Sequence, residues 1–206
     1  MSVRQIELRR ADGSFTKGEL HDELVPGHLL LVEQQWSGGR VDLIATLQRL
    51  GVEPEKWPQS LHWNWAAKAR ELWMLEAAGF IIGCDGKWQG AMLTKSATHA
   101  SLHPKTLGKP LIYVDYVEVA PWNWAIEAIG QQPEFKGVGS TLIREAVLLS
   151  RDEEFEGRIG LHSLPGEEWF YANRCGMEDL GRDAAKEHMT YFELTKEGAD
   201  RFLNGG

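Results

Sequence analysis

The feature that most constrains this fold is a strand followed by a glycine-containing loop and then a helix. Residues 111–119 are rich in β-branched and aromatic side chains, which predicts a strand. The loop ends in the sequence Phe-Lys-Gly-Val-Gly-Ser at residues 135–140. Apolar residues recur at helical spacing over 140–150, which predicts an amphipathic helix. We therefore expect a sheet with this helix packed on it.

The same layout suits phosphate binding. Glycines at Gly137 and Gly139 would let the backbone approach a phosphate, and the helix start supplies free N–H donors and a favourable dipole. Ser140 and Thr141 could add hydroxyl donors or simply cap the helix, and Lys136 could reach a further phosphate or stay solvated. The Gly-x-Gly triplet alone is a weak signal, so this expectation depends on its context. The predicted cofactor-binding residues of the loop are Phe135, Lys136, Gly137, Val138, Gly139, Ser140 and Thr141.

Length, composition and charge narrow the class of protein. The 206 residues are 43% hydrophobic and 25% charged, which is typical of a single globular domain. The net charge of −8 argues against a nucleic-acid partner and is compatible with a cationic substrate. No run approaches the ~20 apolar residues of a membrane span, and the N-terminus lacks the apolar core of a signal peptide. We therefore expect a cytoplasmic protein with no membrane association.

The remaining elements follow from periodicity and turn residues. A hairpin is predicted around Asp12-Gly13, and a second, with a type I′ turn, around Asp85-Gly86. Further helices are predicted over 41–50, over 65–78 with Asn64 as its cap, and from Pro165 to about Arg174. Further strands are predicted at 80–84, 87–93, 157–162 and 189–194, and a loop over 94–109. This mixed order predicts an α/β or α+β sandwich.

The motifs in this order resemble the GNAT superfamily of acetyl-CoA-dependent N-acetyltransferases. The resemblance covers most of the chain and is best over 80–194. It is carried by the Asp85-Gly86 hairpin, the strand ending Val117-Glu118-Val119-Ala120-Pro121, the 135–140 loop, and Phe170-Tyr171 followed by Cys175-Gly176-Met177. It implies one domain over 1–206 with a central mixed, mostly antiparallel sheet flanked by helices. Within it, a Trp-rich N-terminal part (about 1–79) would precede an acetyl-CoA-binding core (about 80–195).

The resemblance also implies the reaction. An acetyl group would pass from acetyl-CoA, as co-substrate and without a metal, to a primary amine by direct attack in a ternary complex. The backbone of Val117 and Val119 would pair with the pantetheine arm of the coenzyme. Tyr171 is the candidate general acid and Glu118 the candidate general base, directly or through water, with Asp115 as the alternative base.

The chain departs from the family pattern at four places. Glu134 stands where the loop pattern has Gln or Arg, and the connection over 122–133 is longer than usual. Tyr171 lies about one residue further before Gly176 than in the pattern. The turn after the predicted strand at 157–162 reads Ser-Leu-Pro, where the family often has Asn.

The acceptor is predicted only as a small-molecule or peptide amine. Trp122 and Trp124 could form an aromatic wall for it, which would suit a cationic or aromatic amine. The amine site is expected among the first two helices, the 94–109 loop and the 122–133 segment. A protein N-terminus, a lysine, a polyamine, an aminoglycoside and a metabolite all stay open as acceptors, and a homodimer is a possible assembly.

Several other hypotheses compete with this one. His162 could shuttle protons or be structural. Cys175 as a nucleophile is disfavoured, because the C-terminal end of a helix raises a thiol pKa. A metal at His99 and His103 lacks an evident third ligand. The two cysteines, Cys84 and Cys175, fit buried thiols better than a disulfide framework.

Two other protein classes also remain. The chain could be a non-catalytic acyl-CoA sensor or an interaction module, with its Trp-rich first third docking a partner. A dinucleotide-binding Rossmann domain is disfavoured, because repeated βαβ units are missing and Leu142 occupies the place of the third glycine.

Overall fold

The computed structural model describes residues 3–205, which form a mixed sheet with helices on it. Nine strands lie in this part of the chain: β1 (Val3–Arg10), β2 (Phe15–His21), β3 (Ala77–Cys84), β4 (Lys87–Lys95), β5 (Ile112–Val119), β6 (Phe135–Lys136), β7 (Ile159–Ser163), β8 (Glu178–Asp183) and β9 (Met189–Leu194). The helices are α1 (Pro26–Arg49), α2 (Trp65–Lys68), α3 (Val138–Asp152) and α4 (Lys196–Leu203). One wide, π-helical turn spans Phe170–Arg174.

The strand order in the sheet is β6-β1-β2-β3-β4-β5-β7-β9-β8. The β5–β7 pair is parallel, whereas β1–β2, β1–β6, β2–β3, β7–β9 and β8–β9 are antiparallel. The predicted fold class, a mostly antiparallel mixed sheet flanked by helices, is therefore confirmed.

Both predicted hairpins are confirmed. β1 and β2 pair from Val3↔His21 to Arg9↔Phe15 around the Asp12-Gly13 turn. In the turn between β3 and β4, Asp85 and Gly86 have φ of 53° and 73°. Positive φ at both central residues defines the type I′ turn, whose twist matches that of the flanking strands.

Helix α1 is longer than predicted. The prediction covered 41–50, but the helix begins at Pro26 and ends at Arg49. Its buried residues recur every three or four positions: Leu29, Val32, Trp36, Arg40, Leu43 and Leu47. The adjacent glycines at 38 and 39 interrupt the sequence pattern, yet a Cβ on Gly39 would lie 3.4 Å from Pro121 Cβ. That is an ordinary van der Waals distance, so the helix packs on Pro121 at this point and a small side chain would fit there.

The helix predicted over 65–78 is wrong over 74–78: α2 is followed by a 3-10 helix over Ala69–Trp73, and the helical segment ends there. Asn64 caps it as predicted, accepting from the Ala67 N–H at 2.8 Å, but α2 ends at Lys68. Ala77 and Ala78 instead begin β3, and the Glu76 carbonyl accepts from Ser96 N–H at 2.8 Å. Sheet pairing overrides the helical propensity of this alanine-rich segment. The strand β8 and the helix α4 were not predicted at all.

The chain forms two compact units. The first comprises 1–75, 79–91 and 118–139, and the second comprises 76–78, 92–117 and 140–206. Trp36 and Trp65 are fully buried in the first unit, and Leu111, Ile143 and Phe192 in the second. The expected division into parts about 1–79 and 80–195 stays a prediction. Within the described residues, no helix is long and apolar enough to cross a membrane.

Candidate active site

Strands β5 and β7 separate after a short parallel stretch in the second unit. Their pairing runs from Ile112↔Ile159 to Val114↔Leu161. Beyond it, β7 continues to pair with β9 as far as Ser163↔Thr190, and β5 continues to Val119. We call this separation the fork. A strand that leaves its neighbour carries backbone N–H and C=O groups that an extended ligand can pair with. Val117, a predicted cofactor contact, lies beyond the last pair, as does Val119.

The predicted glycine loop is a tight connection from strand to helix. Phe135 and Lys136 pair with β1, and the Phe135 N–H donates to Asn123 Oδ1 at 2.9 Å. Gly137 has φ of 83°, a left-handed conformation that glycine adopts without a Cβ penalty. Helix α3 begins at the next residue, Val138. The positive φ expected at a glycine of this loop is thus found at Gly137.

The loop leaves space at the start of α3. No atom lies within 4 Å of where a Gly137 Cβ would be, and Lys136 is exposed, whereas the buried Phe135 and Val138 side chains anchor the turn. In the second unit, a depression of about 160 Å³ is lined by Ser140, Thr141, Arg144 and Phe202. A basic side chain near the start of a helix is a common feature of phosphate-binding sites. Glu134 is exposed as well.

Glu118 lies in a buried ionic network of the first unit. Its Oε2 accepts from Arg40 Nη2 at 2.8 Å and from the Trp65 indole N–H at 2.6 Å. The same Arg40 pairs with Glu33 at 3.1 Å, and Glu33 Oε2 also accepts from the Trp65 backbone N–H at 2.7 Å. Only 1% of the Glu118 side chain is exposed. Arg40, Glu33 and Trp65 have no local signature in the sequence that would link them to Glu118.

This enclosure limits what Glu118 can do. Burial raises the pKa of its carboxyl, against the lowering effect of Arg40. Its second oxygen, Oε1, is buried and has no partner within hydrogen-bonding distance among the described residues, although the neighbouring Ser60 hydroxyl, like Arg40, lowers the carboxyl pKa. Since Oε2 is taken by two donors, a proton from outside the network would have to reach Oε1 through water. The general-base role of Glu118 stays a prediction, in its water-mediated form.

Tyr171 lies in the wide helical turn and is buried in the second unit. Its ring packs against Phe170 and Phe192, with centroid distances of 5.1 and 6.0 Å. The Cys175 N–H donates to the Phe170 carbonyl five residues earlier, at 3.1 Å. A π-helical turn takes in one extra residue, which accounts for the longer spacing from Tyr171 to Gly176. Burial raises the pKa of the Tyr171 phenol, so it is protonated at neutral pH.

The two tryptophans of the predicted aromatic wall have protein partners. The Trp122 indole N–H donates to Gln89 Oε1 at 2.8 Å, and Lys87 Nζ lies 5.0 Å from its ring centroid. Trp124 packs against a cluster of Leu43, Leu47 and Ile126. Both are half-buried. Their role in amine binding stays a prediction, and each also has the packing role expected of most tryptophans.

The other titratable candidates are engaged in several ways. Asp115, the alternative base, pairs with Lys95 at 2.8 Å. His162 bonds to Tyr113 and to Asp183, two residues that the sequence pattern did not indicate. Cys175 is buried, which raises the pKa of its thiol to about 12 and leaves it a poor nucleophile.

The two histidines considered as metal ligands bind different groups. The His99 ring stacks on Tyr113 with a centroid distance of 3.9 Å, whereas His103 Nε2 lies 2.9 Å from Glu178 Oε2. Among residues 3–205 there is no group of three or more His, Cys, Asp or Glu side chains arranged to hold a metal ion.

Solved structures share this architecture. A single-site mutant of the BH1408 protein from Bacillus halodurans is 10% identical, with a TM-score of 0.50 over 89% of this chain and 96% of that one. A GCN5-related N-acetyltransferase from Ralstonia eutropha is 15% identical, with a TM-score of 0.47 over 76% and 90%. The chain shares the fold of the BH1408 protein. The resemblance predicted from the sequence therefore finds its support at the level of the fold.

The other comparisons do not narrow the function of the chain. A mutant AtaT toxin, bound to the C-terminus of the AtaR antitoxin and to acetyl-CoA, is 11% identical, with a TM-score of 0.47 over 71% of this chain and 82% of that one. No family model and no curated protein sequence matches the chain. At such identities the likeness to GNAT acetyltransferases concerns the fold alone.

Proposed function

We propose that the chain is an acetyl-CoA-dependent N-acetyltransferase that acetylates a primary amine by direct attack in a ternary complex. The observation that supports it best is the fork, where β5 leaves β7 after Val114. A pantetheine arm is extended and carries two amides, so it can pair with a strand as an added strand does. The backbone groups of Val117 and Val119 are the proposed partners.

The phosphates of the coenzyme are proposed to bind at the start of α3. Gly137 has left-handed φ and open space beside it, so the backbone there can approach a ligand closely. The helix dipole favours an anion at the start of α3. Within the second unit, Arg144 supplies positive charge, and it also donates to the Leu203 carbonyl at 2.9 Å. The proposed loop contacts are Phe135, Lys136, Gly137, Val138, Gly139, Ser140 and Thr141.

The proposed chemistry is acyl transfer with one acid and one base. The neutral amine attacks the thioester carbonyl carbon, a backbone N–H binds the oxyanion, and the C–S bond then breaks. Tyr171, protonated throughout the physiological pH range, gives its proton to the departing thiolate and regains one from solvent. Glu118 could accept the amine proton only through water at Oε1.

The acceptor is proposed to be a cationic small-molecule or peptide amine. The net charge of −8 attracts cations to the protein, which supports this class without naming a compound. The partly exposed Trp122 would offer a ring face for an ammonium group, as it already does for Lys87.

Thermal unfolding with excess acetyl-CoA, CoA or ATP tests the coenzyme site. A ligand at ~100 times its Kd adds ~2.7 kcal/mol to the free energy of unfolding, which raises Tm measurably. We expect both CoA species to stabilise the protein and ATP not to. A panel of amines with acetyl-CoA, followed by CoA thiol release, then tests turnover. No stabilisation by either CoA species would refute the proposal.

A non-catalytic acyl-CoA sensor is the second candidate. The enclosure of Glu118 by Arg40 and Trp65 favours it, because that carboxylate has no direct path to an amine. Tight binding of acetyl-CoA without CoA release for any amine would support the sensor. Turnover that depends on Tyr171 would support the enzyme.

A further inference from the structure

Three titratable side chains of the second unit form a continuous hydrogen-bonded row. The Tyr113 hydroxyl lies 2.8 Å from His162 Nδ1, and His162 Nε2 lies 3.1 Å from Asp183 Oδ2. Tyr113 is on β5, His162 on β7 and Asp183 at the end of β8. Three separate strands therefore bring these groups together.

The protonation states of the three groups determine which one donates in each hydrogen bond of the row. The pKa of Asp183 is lowered, first by the Ala185 backbone N–H and also by His162, so the carboxylate is ionised and can only accept. His162 Nε2 must then carry a proton. Burial lowers the pKa of His162, so the ring is neutral at pH 7 and Nδ1 is an acceptor. Tyr113 therefore donates to Nδ1, and every link points from Tyr113 toward Asp183.

The row runs from the interior to the surface. Tyr113 is 4% exposed, and the side chains of His162 and Asp183 are 8% and 39% exposed. Its inner end lies beside the fork, because Tyr113 pairs with Gly160 and the next pair, Val114↔Leu161, is the last. His162 is the first residue of β7 beyond that pair.

We propose that Tyr113, His162 and Asp183 form a proton relay that carries a proton of the bound acceptor ammonium from the fork to solvent, which leaves the neutral amine that attacks. In one concerted step, Tyr113 Oη takes the ammonium proton and passes its own to His162 Nδ1. His162 passes its Nε2 proton to Asp183, which releases it to water. Each group ends with as many protons as it had, once the ring tautomer resets. The relay rests on the proposed acetyl transfer and competes with the water-mediated route to Glu118.

Other groups around His162 set its charge state. His99 stacks on Tyr113, and the Tyr191 ring lies 4.8 Å from the His162 ring. The charge of Lys186 lowers the pKa of His99 and of His162, so it disfavours their protonation. Asp115, ion-paired with Lys95, lies on the β5 side of the fork. Against these, Asp183 favours the imidazolium. The relay needs neutral His162, so its rate should fall as pH drops through the pKa of that ring.

Steady-state kinetics across pH tests the relay in the intact enzyme. Removing a general acid–base group typically costs 10²–10⁴-fold, so we expect Tyr113→Phe and His162→Gln to lower kcat by at least about 10²-fold. Asp183→Asn removes a carboxylate that raises the His162 pKa, so the acid limb of kcat/KM should move to lower pH. Glu178→Gln is the matched control, because Glu178 is also a β8 carboxylate bonded to a histidine, His103, but is not in the relay.

The outcomes separate this inference from the proposed function. If the wild-type protein binds CoA but acetylates no amine, the proposed transferase activity is refuted. The relay is then refuted with it, because no reaction would release a proton to it. Wild-type turnover that Glu118→Gln abolishes, while Tyr113→Phe leaves it within twofold, would overturn the relay alone.

A second measurement does not depend on turnover. Nitrogen-15 NMR of labelled histidines reports which ring nitrogen of His162 carries the proton. We expect the Nε2–H form in the wild-type protein and a loss of that preference in Asp183→Asn. An Nδ1–H tautomer in the wild type would reverse the first link and overturn the relay, even if Tyr113→Phe fails to fold.

Discussion

Arg40 is the residue on which the buried network of the first unit depends. It lies between two carboxylates, at 3.1 Å from Glu33 and 2.8 Å from Glu118, and its side chain is 5% exposed. Removing one partner of a buried ion pair leaves an uncompensated charge and costs about 3–5 kcal/mol. We therefore expect Arg40→Met to lower the free energy of unfolding by that amount in urea titrations at pH 7. Arg70→Met, at a side chain 84% exposed, is the control and should change little.

The pH dependence of this loss has a definite sign. Burial raises the pKa of Glu118 above 4.5, and Arg40 opposes that rise, so Arg40→Met should raise it further. A carboxyl whose folded pKa is raised favours folding while protonated, and this contribution is lost as pH rises through the folded pKa. The deficit of Arg40→Met should therefore shrink as pH is lowered toward 4.5. A deficit that grows on acidification would contradict the network described above.

Tyr171 offers a direct test of catalysis at the residue scale. Tyr171→Phe removes only the hydroxyl from a ring that keeps its packing on Phe170 and Phe192. Loss of a general acid typically costs 10²–10⁴-fold, so kcat should fall by at least about 10²-fold. The Kd for acetyl-CoA, measured by calorimetry, should not change. Unchanged turnover would remove Tyr171 from the chemistry.

The sequence pattern indicates single candidate residues but not the residues that they contact in the fold. Glu118 and His162 were recognised as candidates because each lies on or after a predicted strand. Arg40 and Glu118 are 78 positions apart, and Tyr113 and His162 are 49 apart. No local periodicity links such residues, so only the folded chain reveals the network and the proposed relay.

At the scale of elements, turns and caps were predicted better than helix ends. Asp85-Gly86 and Asn64 act through their own backbone neighbourhood, so local chemistry suffices to identify them. The start of β3 at Ala77 depends instead on sheet pairing with distant strands, which propensity does not include. The first half of α1 did carry a helical signal, with burial at Leu29, Val32 and Trp36, but the glycines at 38 and 39 concealed its continuity.

The connection from β6 to α3 yields a prediction of its own. Gly137 and Gly51 both have positive φ, of 83° and 66°, with no atom near a hypothetical Cβ. Alanine is strained by about 1–2 kcal/mol in that conformation, so both Gly137→Ala and Gly51→Ala should lose similar stability. Only Gly137→Ala should also weaken CoA binding, because it places a methyl group where the phosphates are proposed. Equal CoA affinity of the two variants would contradict that site.

For the molecule as a whole, the fold was predictable and the acceptor was not. The two hairpins, the glycine loop and the helix after it follow from local patterns in the sequence, whereas the order of the strands in the sheet does not. The acceptor depends on side chains such as Trp122 and on surface charge, which differ between proteins of one fold. The fold therefore leaves both the reaction and the amine to experiment.

The net charge provides the last prediction. A protein of charge −8 should attract a polyamine faster than a monoamine, and salt should screen that attraction. The Debye length falls from about 10 Å at 0.1 M salt to about 3 Å at 1 M. If the acceptor is polycationic, its kcat/KM should fall steeply over this range, whereas that of a monoamine should fall less. A kcat/KM that is equally insensitive to salt for both amines would mean that net charge does not select the acceptor, and shape or aromatic contacts at Trp122 would then have to do so.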